Sequence, residues 1–239
     1  MSRWVVSDIH GCVKTLRCLL EDKIGPTRQD IVYFLGDYID RGPDSKGVID
    51  YIMSLQEQNY QIELLKGNHE DFFLETYYEE KRRPKGLARL LEKRIILKKD
   101  LWNQHGGKET MKSFGTRNIL QIPSHYIEWL KKLKLFIELD DFFLVHAGFN
   151  FDVEDIFKDT VAMLWTRAFK VDPARLKNKK IIHGHVPAPI DDITFNVSRK
   201  DYYFLGLDNG CYEKNSKDYG SLIALELDSF KLYTKKNID

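Results

Sequence analysis

Apolar and polar positions in this chain change period from one block to the next. Three short apolar runs, "WVVS" (4–7), "IVYFLG" (31–36) and "IELLKG" (62–67), are rich in aromatic and branched residues. Each closes on a polar or glycine turn, which predicts buried strands. Between the first two, Val13, Leu16, Leu19 and Leu20 recur at helical spacing until Gly25-Pro26 stops the helix. Between the second and third, Val48, Ile49, Ile52 and Leu55 repeat that spacing after the turn at Gly42-Pro43-Asp44, with Asp44 in the N-cap place. Strand, helix, strand, helix, strand makes two βαβ units and implies parallel strands in one sheet. From about residue 69 to 135 the pattern is mostly helical, with loops expected near Pro84-Lys85-Gly86 and at 105–107. The C-terminal part returns to strands in "FFLVH", "KIIHGH", "YYFLGLDNG", "SLIALELD" and "KLYTK". No repeat or composition break marks a linker, so residues 1–239 are expected to form one domain.

Composition adds limits. A chain of 239 residues with 43% hydrophobic positions is long enough to bury a sizeable core. Lys plus Arg is 37 and Asp plus Glu is 36, so no global charge bias points to nucleic acid or an anionic membrane, and neither is expected as a partner. Cys12, Cys18 and Cys211 form no CxxC pair and are odd in number, which fits a reduced compartment better than a disulfide scaffold. The N-terminus runs directly into "RWVVSDIHG" without a basic segment and a long apolar one. No apolar run approaches the ~18 residues of a spanning helix. The expected location is the cytoplasm.

The chemistry sits where the strands end. The three early strands close on Asp8-Ile9-His10-Gly11, Gly36-Asp37 and Gly67-Asn68-His69-Glu70. Asp8, Asp37 and Asn68 are 29 and then 31 residues apart, about the length of one βαβ unit. Those ends should therefore lie side by side along the carboxyl edge of the sheet, where open α/β sheets place their ligands. Two later strands end in His146-Ala147-Gly148 and His183-Gly184-His185. Carboxylate, amide oxygen and imidazole without thiolate suit manganese, iron or zinc. The set is too large for one ion. Asp8, His10 and Asp37 can surround one, and Asp37, Asn68, His146 and His185 a second, with the Asp37 carboxylate bridging. Two ions ~3.5–4 Å apart are the usual clamp for in-line displacement at phosphorus.

"DIHG" (8–11), "GDxxDRG" (36–42), "GNHE" (67–70), "HAG" (146–148) and "GH" (184–185) together resemble the calcineurin-like metallophosphoesterases, and more narrowly the bacterial and phage serine/threonine protein phosphatases. "HGGKETMKSFG" (105–115) and "WTR" (165–167) are similar to segments of that bacterial group. The resemblance implies an α/β fold, a metallophosphoesterase β-sandwich flanked by helices in four layers, with the ligands at the carboxyl ends of strands. It implies two divalent metal ions, manganese first with iron or zinc as alternatives, held by Asp8, His10, Asp37, Asn68, His146 and His185. It makes Asp40 and His69 the catalytic pair that protonates the leaving oxygen, and Arg41 and Arg167 the arginines that hold phosphate. The implied substrate is a phosphorylated protein or peptide.

Those roles make chemical sense on these residues. A phosphate ester leaves as an alkoxide, and an imidazole steadied by a carboxylate is a suitable acid, worth ~10²–10⁴ in rate. Arginine meets phosphate oxygens in a bidentate fork, which lysine cannot do. His183 departs from the family pattern; strand alternation would place it on the face of His185, as an outer ligand or as a partner behind the ligands. Asp208 in "LDNG" resembles a structural loop beside the site. Residues 81–99 carry nine Lys or Arg against one Glu, either a solvated face or a platform for an acidic or phosphorylated partner. A dinucleoside polyphosphate hydrolase is the alternative enzyme, disfavoured because "GDxxDRG" is complete here and that relative typically lacks its second Asp. A non-catalytic module on the same fold would not need the Asp40–His69 pair.

Overall fold

A computed structural model describes residues 1–83, 98–199 and 202–239. The early part follows the sequence pattern: β1 (Arg3–Val6), α1 (Val13–Arg17) running on as a π-helical turn (Cys18–Ile24), β2 (Ile31–Phe34), α2 (Ser45–Glu57), β3 (Gln61–Leu64) and α3 (Asn68–Arg82). Asp44 caps α2, accepting the Gly47 N–H at 2.8 Å. Gly25 ends the first helical segment in a left-handed conformation at φ 54°. After the undescribed stretch come α4 (Lys98–Trp102), a π-helical turn (Asn103–Gly107), α5 (Lys108–Ser113) and α6 (Ser124–Lys131). The expected loop at 105–107 coincides with a kink in the turn between α4 and α5, where Gly106 is non-helical at φ 105°, and the one at Pro84-Lys85-Gly86 lies outside the described residues. The rest is β4 (Phe136–Glu138), β5 (Phe142–Val145), α7 (Thr160–Trp165), β6 (Lys180–His183), α8 (Ile190–Ser198), β7 (Phe204–Gly206), β8 (Ser221–Glu226) and β9 (Lys231–Lys236). Neither β4 nor α7 nor α8 is announced by the sequence pattern.

Two mixed sheets result. The first has the order β3-β2-β1-β8-β9, with β1, β2 and β3 parallel and β8 antiparallel to both β1 and β9. The second has the order β4-β5-β6-β7, parallel except for β4. Period-2 alternation sorts each strand between two cores. In the first sheet Trp4, Val6, Phe34, Leu222 and Ala224 face helices α1 to α6, packing on Leu16, Ile52, Phe73, Trp102 and Ile127. Val5, Tyr33, Ile223 and Leu225 face the other way and meet Leu144, Ile182 and Leu205 of the second sheet. Phe143, Val145 and Ile181 form the outer face of that sheet and pack on Phe149, Ile156 and Met163. Burying both faces of both sheets requires four layers, a β-sandwich flanked by helices. Among the described residues no helix is long and apolar enough to cross a membrane.

The sandwich brings the carboxyl ends of both sheets together. His146 donates from Nδ1 to the Leu35 carbonyl at 2.9 Å, and the His185 N–H donates to Asp8 Oδ2 at 2.9 Å. Within the second sheet the Gly184 N–H donates to the His146 carbonyl at 2.8 Å.

Candidate active site

The strand ends are tight turns with unusual backbones. His10 (φ 48°), Asp37 (52°), Asp40 (69°), Arg41 (66°) and His185 (70°) all lie in the left-handed region that non-glycine residues avoid. Such strain persists only where the surroundings over-determine it, and it concentrates at functional sites. Here the surroundings are backbone hydrogen bonds between the loops: the Ile9 and His10 N–H groups both donate to the Asp37 carbonyl, and Gly11 N–H donates to that of Tyr38. Two glycines let the loops close. A Cβ at Gly67 would overlap Asp37 Oδ1, and one at Gly184 would overlap Asp8 Oδ1.

Asp37 stands at the centre, 2% exposed. Its Oδ2 lies 3.4 Å from His10 Nε2 and its Oδ1 3.5 Å from His146 Nε2, so each oxygen addresses a different imidazole. His10 Nδ1 donates to the Ile39 carbonyl at 2.9 Å and His146 Nδ1 to that of Leu35. In the neutral ring that leaves both Nε2 atoms as lone pairs aimed at carboxylate oxygen. Asn68 Oδ1 sits 2.9 Å from both His146 Nε2 and His185 Nδ1. Asp8 Oδ1 and His185 Nε2 are buried with no hydrogen-bond partner. Lone pairs and anionic oxygens gathered this way, with few protons between them, call for cations.

The protonation preferences agree. Burial is the main force pulling His10 well below its ordinary value, with the Arg41 charge adding to it. Burial also lowers His146, and it brings His185 down to about 3 with help from His146. All three imidazoles are thus neutral and able to ligate. Burial, then the Asp208 and Asp37 charges, push Asp8 well above the usual carboxylate range. Asp208, raised by burial to about 7, belongs to the same crowd of acids. Burial would raise Asp37 too, but in acid, where the imidazoles of His146, His69 and His10 take up protons, their charges outweigh it and hold the Asp37 carboxyl below the usual range. The donor set therefore fits divalent ions.

Two tight groups emerge, His10–Asp37–His69 and Asp37–His146–His185. The second matches the sequence expectation. The first holds His69 in place of Asp8, whose carboxyl turns to the His185 N–H. His69 is at the same time bound elsewhere: its Nδ1 donates to Asp40 Oδ2 at 2.7 Å, while its Nε2 faces the site 4.0 Å from Asp37 Oδ2. Burial lowers His69, but the Asp37 charge and the Asp40 hydrogen bond outweigh it, and the net shift is upward.

Asp40 is fully buried. Besides His69, its Oδ2 accepts Trp102 Nε1–H at 2.8 Å and its Oδ1 accepts the Thr110 hydroxyl at 2.6 Å. Arg41 lies with its guanidinium carbon 4.5 Å above the Tyr212 ring, and that ring packs edge-on against His10 at 5.1 Å. Arg167 is exposed, with its charge felt by His185. The structure thus gathers Asp8, His10, Asp37, Asp40, Arg41, Asn68, His69, His146 and His185 at the joined strand ends, while Arg167 is linked to them by its charge on His185.

Other participants are missing from the sequence reading. Glu70 accepts the backbone N–H groups of Asp37 (2.9 Å), Tyr38 (2.8 Å) and Gly67 (2.9 Å), pinning the second strand end to the start of α3. A Glu three places after a helix-start residue is a capping-box signal and could have been read. Trp102, Thr110 and Tyr212 carry no such signal; they meet Asp40 and Arg41 only through the fold. His183 corrects the alternation reading. β6 ends at His183, and the left-handed backbone at His185 takes that residue off the strand pattern. The His183 ring packs against Phe169 and Phe204, with Nδ1 bonded to the Gly184 carbonyl, and burial lowers it to about 4.

Comparison with known proteins bears on this site. The family model described as calcineurin-like phosphoesterase matches residues 1–219. A symmetrical bis(5'-nucleosyl)-tetraphosphatase of Buchnera aphidicola (subsp. Acyrthosiphon pisum, strain Tuc7) is 39% identical over 70 residues, 29% of this chain and 24% of that protein. That match spans about a quarter of the relative's length. Among solved structures, a protein serine/threonine phosphatase from Saccharomyces cerevisiae aligns with a TM-score of 0.60 at 16% identity, covering 100% of this chain and 81% of the other. A cold-active protein-tyrosine phosphatase of a psychrophilic Shewanella gives 0.59 at 15% identity, covering 98% and 80%. At these identities the two structures speak to the fold alone.

Proposed function

Because this chain belongs to the calcineurin-like phosphoesterases, we propose that it is a two-metal phosphomonoesterase acting on phosphoserine and phosphothreonine in proteins. The observation that carries this reading is the buried Asp40–His69 pair, joined at 2.7 Å. With Nδ1–H committed to Asp40, the second proton of the imidazolium sits on Nε2, the edge that faces Asp37 and the site. A proton there matters in proportion to the basicity of the leaving oxygen. A serine or threonine alkoxide is strongly basic and needs it; the phosphate of a split dinucleoside polyphosphate is a weak base and leaves without it.

Asp8, His10, Asp37, Asn68, His146 and His185 would hold the ions, manganese by preference, with Asp37 shared between them. Bound there, two divalent ions supply a nucleophile from water at neutral pH and neutralise charge on phosphoryl oxygen. Arg41, steadied on Tyr212, and Arg167, whose charge is felt by His185, grip the remaining phosphate oxygens. His69 releases its Nε2 proton to the departing oxygen while Asp40 stabilises the imidazolium.

The second reading, hydrolysis of a dinucleoside tetraphosphate, has in its favour the sequence relatives named for that activity. The deciding test is turnover of phosphoserine, phosphothreonine and phosphotyrosine peptides against diadenosine tetraphosphate by manganese-reconstituted protein. The highest kcat/KM is expected on the phosphoserine or phosphothreonine peptide and its loss on chelation. Faster turnover of the dinucleotide would establish the second reading instead.

A further inference from the structure

Helices α4 and α5 present their inner sides to the Asp40 clamp through Trp102 and Thr110. Their other side, with the turn after α5, walls a cavity of about 500 Å³ lined by Lys99, Asn103, Lys108, Met111, Lys112 and Arg117 among others. No carboxylate lines it. Lys99 Nζ contacts the Arg117 carbonyl at 3.4 Å. Among the described residues none of these four cations makes an ion pair, whereas neighbouring lysines do, Lys98 with Glu75 at 2.6 Å and Lys131 with Glu128 at 2.9 Å. Four like charges around one concavity repel each other and focus a positive potential into it.

We infer that this cavity receives acidic side chains flanking the phosphorylated residue of a protein substrate, and so selects phosphoproteins that carry Asp or Glu beside the phosphate. The inference rests on the phosphoprotein reading above. Placement supports it. The turn Asn103–Gly107 touches the phosphate-binding arginine, with the Arg41 N–H donating to the Gly106 carbonyl at 3.3 Å. Asn103 and Lys108 of the cavity wall flank that contact on either side. No aromatic ring lines the cavity, so it lacks the stacking platform that nucleobases use.

The test is steady-state kinetics of the manganese-loaded full chain on matched phosphoserine peptides, with Glu or Gln at the positions two to four residues from the phosphoserine, on each side in turn. The acidic peptide is expected to show a kcat/KM roughly fivefold higher through KM, since exposed charge pairs are individually weak, and the advantage should shrink as salt is raised. Lys112→Glu with Arg117→Glu should reverse the preference, leaving turnover of an aryl phosphate and inhibition by inorganic phosphate unchanged. If that double variant loses aryl phosphatase activity, Lys112→Gln alone serves, and should reduce the preference. Equal kcat/KM for acidic and neutral peptides, or a preference that survives in the variants, would overturn the inference while leaving the phosphoprotein reading intact. Turnover of diadenosine tetraphosphate with no phosphopeptide turned over would instead overturn both.

Discussion

Asp40→Asn isolates the charge behind the His69 imidazole, because the structure lets the amide replace every contact of the carboxylate. The amide oxygen takes the place of Oδ2 and accepts from His69 Nδ1 and Trp102 Nε1, now 2.7 and 2.8 Å away. The amide NH2 takes the place of Oδ1 and donates to Thr110 Oγ1, which turns its own hydrogen toward Ser45 Oγ, 3.0 Å away. What is lost is one negative charge in a place where neither partner is more than 2% exposed. A hydrogen bond to a charged group contributes ~1.5–3 kcal/mol and a neutral one ~0.5–1.5. The difference of ~1–1.5 kcal/mol lowers the His69 pKa by about one unit. In the wild type that pKa stands above the ordinary imidazole value, so the acid form persists to higher pH than in a free imidazole and is lost as pH rises through it. In the variant the alkaline limb of kcat should move to lower pH by about one unit, and on its slope phosphoserine peptide turnover should fall ~10-fold. An aryl phosphate, whose phenolate leaves unprotonated, should lose far less. His69→Asn should cost ~10²-fold or more on the peptide, and the double variant little beyond that, as expected of groups acting as one unit. The assay is a pair of pH–rate profiles, peptide and nitrophenyl phosphate, with metal content checked by elemental analysis. Equal losses on both esters with both metals retained would refute the general-acid role and leave His69 as a group that positions substrate.

Two further outcomes are expected. Asp37→Asn should strip more metal than Asp8→Asn, because both Asp37 oxygens face imidazoles and Asp37 belongs to both tight groups, whereas Asp8 belongs to neither; equal metal content in the two variants would contradict a shared Asp37. Glu70→Gln places an amide NH2 among the N–H donors of Asp37, Tyr38 and Gly67, so stability should fall by ~1–3 kcal/mol in a urea melt and metal affinity with it; an unchanged midpoint would show that the turn at Asp37 holds itself.

Local pattern was enough to read the βαβ units, the Asp44 cap, the Gly25 stop and the blocks of metal-ligating residues, because each depends on neighbours a few positions away: period 2 or 3.6 for the elements, turn residues for their ends. It also put the ligand blocks at strand ends, since spacing by one βαβ unit leaves parallel strands little choice of neighbour. Other features depend on chain segments that meet only when folded. β8 and β9 close the first sheet rather than the second, because the buried strand β1 needs a partner for the N–H and C=O groups of its free edge. Trp102 and Thr110 reach Asp40 from 62 and 70 positions away, and Tyr212 reaches Arg41 across most of the chain. No periodicity encodes such pairings. Alternation likewise could not foresee the left-handed turn that takes His185 off the β6 pattern, nor the turn of Asp8 toward the His185 N–H. Sequence determined which residues could do the chemistry. Tertiary packing decided which oxygen of each carboxylate faces which imidazole, because those directions follow from hydrogen bonds made across both sheets.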